Sequence, residues 1–358
     1  MTLPLLHLDG SPFEQGLQHG RALGDLIAHN LDLYFDRFSR EARLSSEDVL
    51  ARATLYLSAI SAQNADYFDG LRGVADGSGF TLEQIAALNV RYELMYYELG
   101  RIAMADGCTA FAVAPPTSAN GHLLLGQNWD WIPNVRCALL HTVEPSGLRT
   151  LSLTEAGIVG GKVGLNSAGL GLAINGLTTT GDDWSRLSKP FHVRCYEILR
   201  SDDLDRAARV VTDTPRACSS NFLIAQIPDR IVDLEAAPDQ VHLLTCASGN
   251  LVHTNHFVDP TALGIVETAS ELGPDSYDRL ARLARLFGTE RPVALEDVLR
   301  YLGDHQGYPN SICRHEDPCD PPDERYATVA SVVMDLVDRV MLVSDGQPCL
   351  APYQRVAC

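Results

Sequence analysis

The chain has 358 residues, with 28 Lys and Arg against 46 Asp and Glu, a formal charge of −18; 46% of residues are hydrophobic. This is the composition of a folded globular protein, long enough for one large or two modest domains. The acidic excess excludes broad binding to nucleic acid or anionic membrane, because phosphates are held by clustered Lys and Arg.

No apolar run reaches the ~18 residues needed to cross a bilayer, and residues 1–10 lack the pattern of a secretory signal. Nine cysteines, an odd number with no CxxC spacing, read as free thiols of a reducing, cytoplasmic compartment. Neither a disulfide framework nor a zinc site is expected.

The first hundred residues are predicted helical. Ser11-Pro12-Phe13-Glu14 is a capping box with Pro at the first helical position, opening a helix towards Arg37. Ser45 caps a second helix, with Asp48 at its third position. Gly77-Ser78-Gly79 reads as a loop, and Thr81-Leu82-Glu83-Gln84 opens a helix through 92–98. After Asp106-Gly107-Cys108 the pattern becomes short strands: 109–113, 122–127, 138–143, 150–155, 162–165 and 169–175. A helix fits 191–211. Strands 222–226, 231–235, 241–244 and 251–253 follow, then helices 275–287 and 295–302. The last predicted feature is a hairpin of 328–336 with 340–343, and 318–323 is a surface loop. The fold class is α+β, with mostly antiparallel sheets.

Several motifs fail on inspection. Gly161-Lys162 is no Walker A loop, since Ala156 and Val163 replace the required Gly and Ser/Thr. Gly169-x-Gly171 has Ile174 where a dinucleotide fingerprint needs its third Gly. A tight glycine hairpin explains both. No G-x-S-x-G surrounds Ser78 or Ser167. His253 and His256 lack a third zinc ligand and read as hydrogen-bonded imidazoles at a strand end.

Gly107-Cys108 stands at the change from helical to strand pattern. A glycine before a cysteine lowers the steric barrier to a strained peptide bond. A thiol there can attack the preceding carbonyl, convert the amide to a thioester, and release a new amino terminus at Cys108.

The ordered motifs are GSPFEQGLQHG at 10–20, DGCT at 106–109, GQNWDW at 126–131 and TEAGIVGGKVGLNSAGLGLAINGL at 154–177. VHTNH at 252–256, PDSYDRLARL at 274–283, YPNSICR at 308–314 and the strand from Ala327 follow. Over nearly the whole chain they resemble the isopenicillin N acyltransferase-like family, autoproteolytic cysteine enzymes of the N-terminal-nucleophile (Ntn) hydrolases.

That resemblance implies a four-layer αββα fold of two stacked, mostly antiparallel sheets flanked by helices. It implies a precursor cut between Gly107 and Cys108, leaving an α chain of 1–107 and a β chain of 108–358 as one non-covalent unit. By the same resemblance Cys108 is the nucleophile, Asp130, Asn255 and Arg325 are catalytic, and Arg314 lies near the site. Arg314 and Trp129 are the substrate-binding candidates, although tryptophans such as Trp129 and Trp131 are more often core than substrate contacts. No cofactor and no metal are implied.

The chemistry suits these residue types. A free α-amino group, with a reference pKa of about 7.7–8.0, serves as general base near neutrality. Being on the nucleophile's own residue, it loses little positioning entropy. Asn255 is expected to donate to the oxyanion, though Asn128, Asn166, Asn175 and Asn221 are equally polar. The expected function is hydrolysis or transfer of the acyl group of a small N-acyl amine, amino acid or peptide through a Cys108 acyl-enzyme. The alternative is acyl-CoA-dependent N-acylation, and an inactive binding homologue is the remote third. Where the family's penicillin-making member has two serines linked to its acyl transfer, this chain has Ala237 and Glu324. Its end, Arg355-Val356-Ala357-Cys358, is not a peroxisomal signal.

Overall fold

The structure, a computed structural model, describes residues 3–99, 107–246, 248–267, 275–288, 292–322 and 325–358. The helical N-terminal part follows its capping signals. Helix α1 (Pro12–Arg40) starts at Ser11, whose backbone N–H donates to Glu14 Oε2 at 2.7 Å. Helix α2 (Ser46–Gln63) starts with the Ser45–Asp48 box, and α4 (Leu82–Asn89) with Thr81–Gln84.

The sequence reading departs from the structure in two places here. The helix predicted through 92–98 breaks at Val90, and α5 (Arg91–Leu99) begins anew. The predicted loop at 77–79 is the end of an unpredicted helix, α3 (Ala65–Ser78), closed by Gly79 in the left-handed region at φ 79°. Glycine is a poor helix former, so 70–79 looks like a loop locally. Here the glycines let two helix backbones touch. A Cβ on Gly73 would lie 2.1 Å from the Phe13 carbonyl oxygen, and one on Gly16 would lie 2.2 Å from that of Gly70.

Two sheets form the centre. In the eight-stranded sheet the spatial order is β1 (Leu5–Leu8), β4 (Cys137–Val143), β5 (Arg149–Glu155), β6 (Val163–Asn166), β7 (Leu170–Gly176), β8 (Ser220–Gln226), β9 (Arg230–Ala236) and β10 (Val241–Thr245). All neighbours are antiparallel except the unpredicted β1, which runs parallel to β4. The six-stranded sheet runs β11 (Asn250–His253), β2 (Gly107–Val113), β3 (Leu124–Trp131), β12 (Ala327–Asp335), β13 (Val340–Asp345) and β14 (Tyr353–Ala357).

Side-chain alternation along a strand sorts this second sheet's two faces. Phe111, Val113, Leu124 and Val333 form one core with Leu283 and Phe287 of a helix, α9 (Asp275–Phe287), and Val298 and Leu302 of another, α10 (Leu295–Leu302). The alternate residues Ala110, Ala112, Leu125 and Val332 join the core between the sheets. On the far side of the eight-stranded sheet lie α6 (Phe191–Leu199) and α7 (Leu204–Thr212), the latter capped by Asp203. They replace the single helix predicted over 191–211. A short α8 (Pro260–Leu263) follows β11. The layers are helix, sheet, sheet and helix, the expected αββα order.

Candidate active site

Cys108 is the second residue of β2 and is buried. The β2–β3 register sets Trp129 opposite Cys108 and Asp130 opposite Gly107. Neighbouring residues on a strand face opposite ways, so one strand, NWD, serves both sides of the sheet. Trp129 lines a pocket with Cys108, Arg91, Tyr92, Lys162 and Phe191. Asp130 points the other way, where its Oδ1 accepts from Thr328 Oγ1 at 2.6 Å.

Gly107 is closed in from both sides. A Cβ there would lie 2.5 Å from Arg314 Nη1 and 2.8 Å from Asp130 Oδ2. Only a residue without a side chain fits, which gives the Gly-Cys pair a steric reason. Arg314 is held by Asn310, to whose Oδ1 it donates at 2.8 Å, and by Asp275 at 3.5 Å. Its backbone N–H donates to Thr328 Oγ1 at 2.9 Å. Thr328 therefore joins Arg314 to Asp130.

Asn255 follows β11 and reaches Cys108 directly. Its Oδ1 accepts from the Cys108 backbone N–H at 2.7 Å and from Arg279 Nη2 at 3.1 Å. Its Nδ2 donates to the Gly176 carbonyl at 3.1 Å. Turning the amide over would face its NH2 towards two donors and its oxygen towards an acceptor, so the partners fix its orientation. The Asn255 backbone N–H is anchored on Ser276 Oγ at 2.8 Å.

Arg279, on α9, was not anticipated from the sequence. Its Nη1 donates to the Cys108 carbonyl at 2.7 Å and to Thr109 Oγ1 at 3.0 Å, and its Nε to Asp275 Oδ2 at 3.0 Å. Burial pushes the Asp275 carboxyl up, but Arg279 and Arg314 outweigh burial and hold it below its ordinary value. The only advance sign of Arg279 was its place in PDSYDRLARL. Asn175 also donates to the Cys108 carbonyl, at 3.2 Å. Asn128 instead donates to the carbonyls of Leu302 and Ile312, and Asn166 to those of Leu199 and Ser201; Asn221 donates to Asp233 and, at 3.2 Å, to Asn175 Oδ1.

Arg325 is not brought to this site. Its Nε donates to the Asp320 carbonyl at 3.0 Å and its Nη2 to that of Pro318 at 3.3 Å; Nη1 lies 3.7 Å from Glu316. Those bonds tie Arg325 to Glu316, Pro318 and Asp320, so the expected catalytic placement of Arg325 is corrected. Arg279 and Arg314 are the guanidinium groups set against the Gly107–Cys108 segment.

A buried ionic network supports the pocket wall. Glu155 receives Arg91 Nε at 3.0 Å, Lys162 Nζ at 2.6 Å and the Tyr34 hydroxyl. Trp131 Nε1 donates to that hydroxyl at 2.7 Å. Burial pushes the Glu155 carboxyl up, yet Arg91 and Lys162 hold it far below its ordinary value. Burial lowers the Lys162 ammonium below its own, with Glu155 opposing. Lys162 Nζ stands 2.9 Å from the Trp129 ring centroid, a cation–π contact that fixes the indole plane against the pocket. In the sequence, Lys162 was part of a glycine-rich hairpin and Glu155 ended the strand before it, and neither carried a sign of this role.

His253 and His256 are hydrogen-bonded imidazoles, as read from the sequence. His253 Nε2 meets Glu235 Oε1 at 3.0 Å, and His256 Nδ1 meets Ser276 Oγ at 2.8 Å.

Fold and site together define a layered αββα protein built around a cysteine, second in its strand, whose flanking peptide groups are gripped by polar side chains. The chain belongs to the acyl-coenzyme A:6-aminopenicillanic acid acyl-transferase family, matched over residues 117–349. It is 30% identical over 356 residues to the acyl-coenzyme A:6-aminopenicillanic-acid-acyltransferase 40 kDa form of Emericella nidulans, covering 96% of this chain and 93% of that one. It is 24% identical over 385 residues to the beta-alanyl-dopamine/carcinine hydrolase of Drosophila melanogaster, covering 99% and 96%. Among solved structures, penicillin V acylase from Agrobacterium tumefaciens matches with a TM-score of 0.49 and 14% identity, over 70% of this chain and 86% of that one. Among the described residues no helix is long and apolar enough to cross a membrane.

Proposed function

We propose that the chain is the precursor of a cysteine amidohydrolase that cuts itself between Gly107 and Cys108. The carrying observation is the grip on Cys108: Asn255 Oδ1 lies 2.7 Å from its nitrogen, and Arg279 Nη1 lies 2.7 Å from its carbonyl oxygen. Self-cleavage begins with attack of the Cys108 thiol on the Gly107 carbonyl carbon. The S–C bond forms, the C–N bond breaks, and the nitrogen takes the thiol's proton. Water then hydrolyses the thioester, leaving a carboxylate on Gly107 and a free amine and thiol on Cys108.

In the cut protein the amine stays on Asn255 Oδ1. Arg279 beside it disfavours the ammonium form, so the amine is ready to act as base near neutrality. It takes the thiol's proton as the sulfur attacks a substrate carbonyl, gives it to the leaving amine, and then activates water against the acyl-enzyme. Asn255 is thus assigned to holding the amine and not to the oxyanion, because its NH2 is committed to Gly176. The pocket walled by Trp129, Tyr92 and Phe191 receives the acyl group of a small N-acyl amine, amino acid or peptide.

Transfer of the acyl group to an amine, with acyl-CoA as donor, is the second reading. The Emericella nidulans relative favours it, whereas a charge of −18 does not attract a polyanionic thioester at long range. The products with N-acyl substrates and with acyl-CoA separate the two. Denaturing intact mass tests the processing. Wild type should give pieces of 107 and 251 residues, the larger beginning at Cys108, while Cys108→Ala stays a single inactive chain. An uncut, active wild type, or a cut and active Cys108→Ala, overturns the reading.

A further inference from the structure

Four metal-ligand side chains, three from residues 305–315 and one from position 349, meet at the loop that carries Arg314. His305 Nε2 lies 3.1 Å from His315 Nε2. Cys313 Sγ lies 3.8 Å from His315 Nε2 and 3.5 Å from Cys349 Sγ, and Cys349 Sγ lies 3.4 Å from His315 Nε2. All four donor atoms fall within 4.8 Å of one another. Tetrahedral zinc, with Zn–N of about 2.0–2.1 Å and Zn–S of about 2.3 Å, sets its ligand atoms roughly 3.3 to 3.8 Å apart. Three of the four separations given lie within that range, and the fourth, between the two imidazole nitrogens, is 3.1 Å. The two sulfurs are well beyond the ~2.05 Å of a disulfide.

We propose that His305, Cys313, His315 and Cys349 bind one structural zinc ion. Two nitrogens and two sulfurs in this arrangement select zinc over the oxygen-seeking cations. All four positions are filled by protein, which marks a closed, non-catalytic site. Binding converts two thiols to thiolates and releases two protons, leaving a neutral centre. The sequence suggested no zinc because no CxxC is present; here only the Cys313-x-His315 pair is local, and the fold supplies the rest.

The surroundings need such a staple. Residues 303–326 form no regular element among those described, and Cys349 lies in a turn where the Leu350 and Ala351 N–H groups share the Gln347 carbonyl. Within the first loop the Cys313 N–H donates to the Asp304 carbonyl and the His315 N–H to that of Pro309, each at 3.0 Å. The Tyr308 ring lies against His315, with centroids 5.3 Å apart. Arg314 sits between two ligands and reaches over Gly107. The ion would therefore fix the residue that closes the cleavage site, and join it to the segment leading into β14.

Metal analysis of the full chain, purified in reductant without chelator from zinc-supplied cells, is the test. The expected result is about one zinc per chain, falling to near zero in His305→Ala and in Cys349→Ser, both changes at exposed positions. Should a variant fail to fold, cobalt titration of the reduced, metal-stripped wild type still decides: the visible bands of a tetrahedral thiolate site should appear at one equivalent. Metal-free wild type with no cobalt spectrum overturns the site. So does zinc retained by both variants, or a Cys313–Cys349 disulfide in the reduced protein. None of these readouts depends on self-cleavage or amidase activity.

Discussion

Gly107 shows how much one missing methyl group decides. Arg314 and Asp130 approach it so closely that a Cβ would sit 2.5 Å from one and 2.8 Å from the other. Gly107→Ala must push those groups aside or tilt the Gly107 carbonyl away from the thiol. A misplacement near 1 Å costs about a hundredfold in a positioned reaction. Self-cleavage of Gly107→Ala, followed by intact mass over time, should therefore slow by roughly that factor. Cleavage at the wild-type rate would show that the close fit is not part of the reaction. At this scale the sequence was partly legible. Gly107, Cys108, Asp130 and Asn255 stand in local motifs, and the structure does bring them together. Arg279, Lys162, Glu155 and Arg91 were not legible as site residues, because each reaches the site through the fold and not through a neighbour in the chain. Arg325 failed for the complementary reason: its place in a motif said nothing of the loop carbonyls that hold its guanidinium.

Helix α3, packed on α1, was the helix least visible in the sequence. Helix propensity ranks Gly about 1 kcal/mol below Ala, so a run with Gly70, Gly73, Gly77 and Gly79 reads as loop. Tertiary contact overrides propensity here, since Gly16, Gly20, Gly73 and Gly77 each meet the partner helix's backbone. Two substitutions of the same type should consequently have opposite signs. Gly73→Ala gains about 1 kcal/mol in propensity, but its Cβ falls 2.1 Å from the Phe13 carbonyl oxygen. Rigid backbone cannot yield cheaply, and overpacking costs about 1–3 kcal/mol or more, so the urea midpoint should fall. Gly24→Ala, in α1 with nothing within 4 Å of the new Cβ, should raise the midpoint, by about 0.5–1 kcal/mol. A stabilised Gly73→Ala would mean that the helices are not in backbone contact. Strands and capped helices were legible because period and caps are local signals. The break at Val90 was not, because no Gly or Pro marks it; the one at 200–203 went unread although Ser201-Asp202-Asp203 carries an N-cap signal, Asp203 capping α7.

Across the whole molecule, cutting after Gly107 should separate the covalent chain without separating the protein. Residues before the cut build the same core as those after it: Leu23, Ile27 and Tyr34 share a cluster with Trp131, Leu139 and Leu153. Polar bonds cross the same boundary. Asn30 Nδ2 donates to the carbonyls of Arg136 and Ala156, Arg91 holds Glu155, and β1 pairs with β4. One crossing bond depends on pH. His19 Nε2 accepts from the Gly157 N–H at 3.0 Å, which requires a neutral ring. Burial lowers its pKa to about 4, from an ordinary 6.5. The unfolded chain therefore takes up this proton near pH 6.5 and the folded one only near 4. Stability from this group is present above pH 6.5 and is lost as pH falls through that window, by about 3 kcal/mol in total. Buried carboxyls such as Glu93, raised by burial to about 7, act in the opposite direction, so the wild-type profile alone does not isolate His19. Comparison with His19→Gln does, because the amide oxygen still accepts from Gly157 but does not titrate. Between pH 7 and 4 the wild type should lose stability relative to His19→Gln, read as a converging or crossing pair of urea midpoints. Parallel midpoints across that range would show that the ring tolerates its proton in the folded state, and that the joint between the two segments is not acid-sensitive at this point.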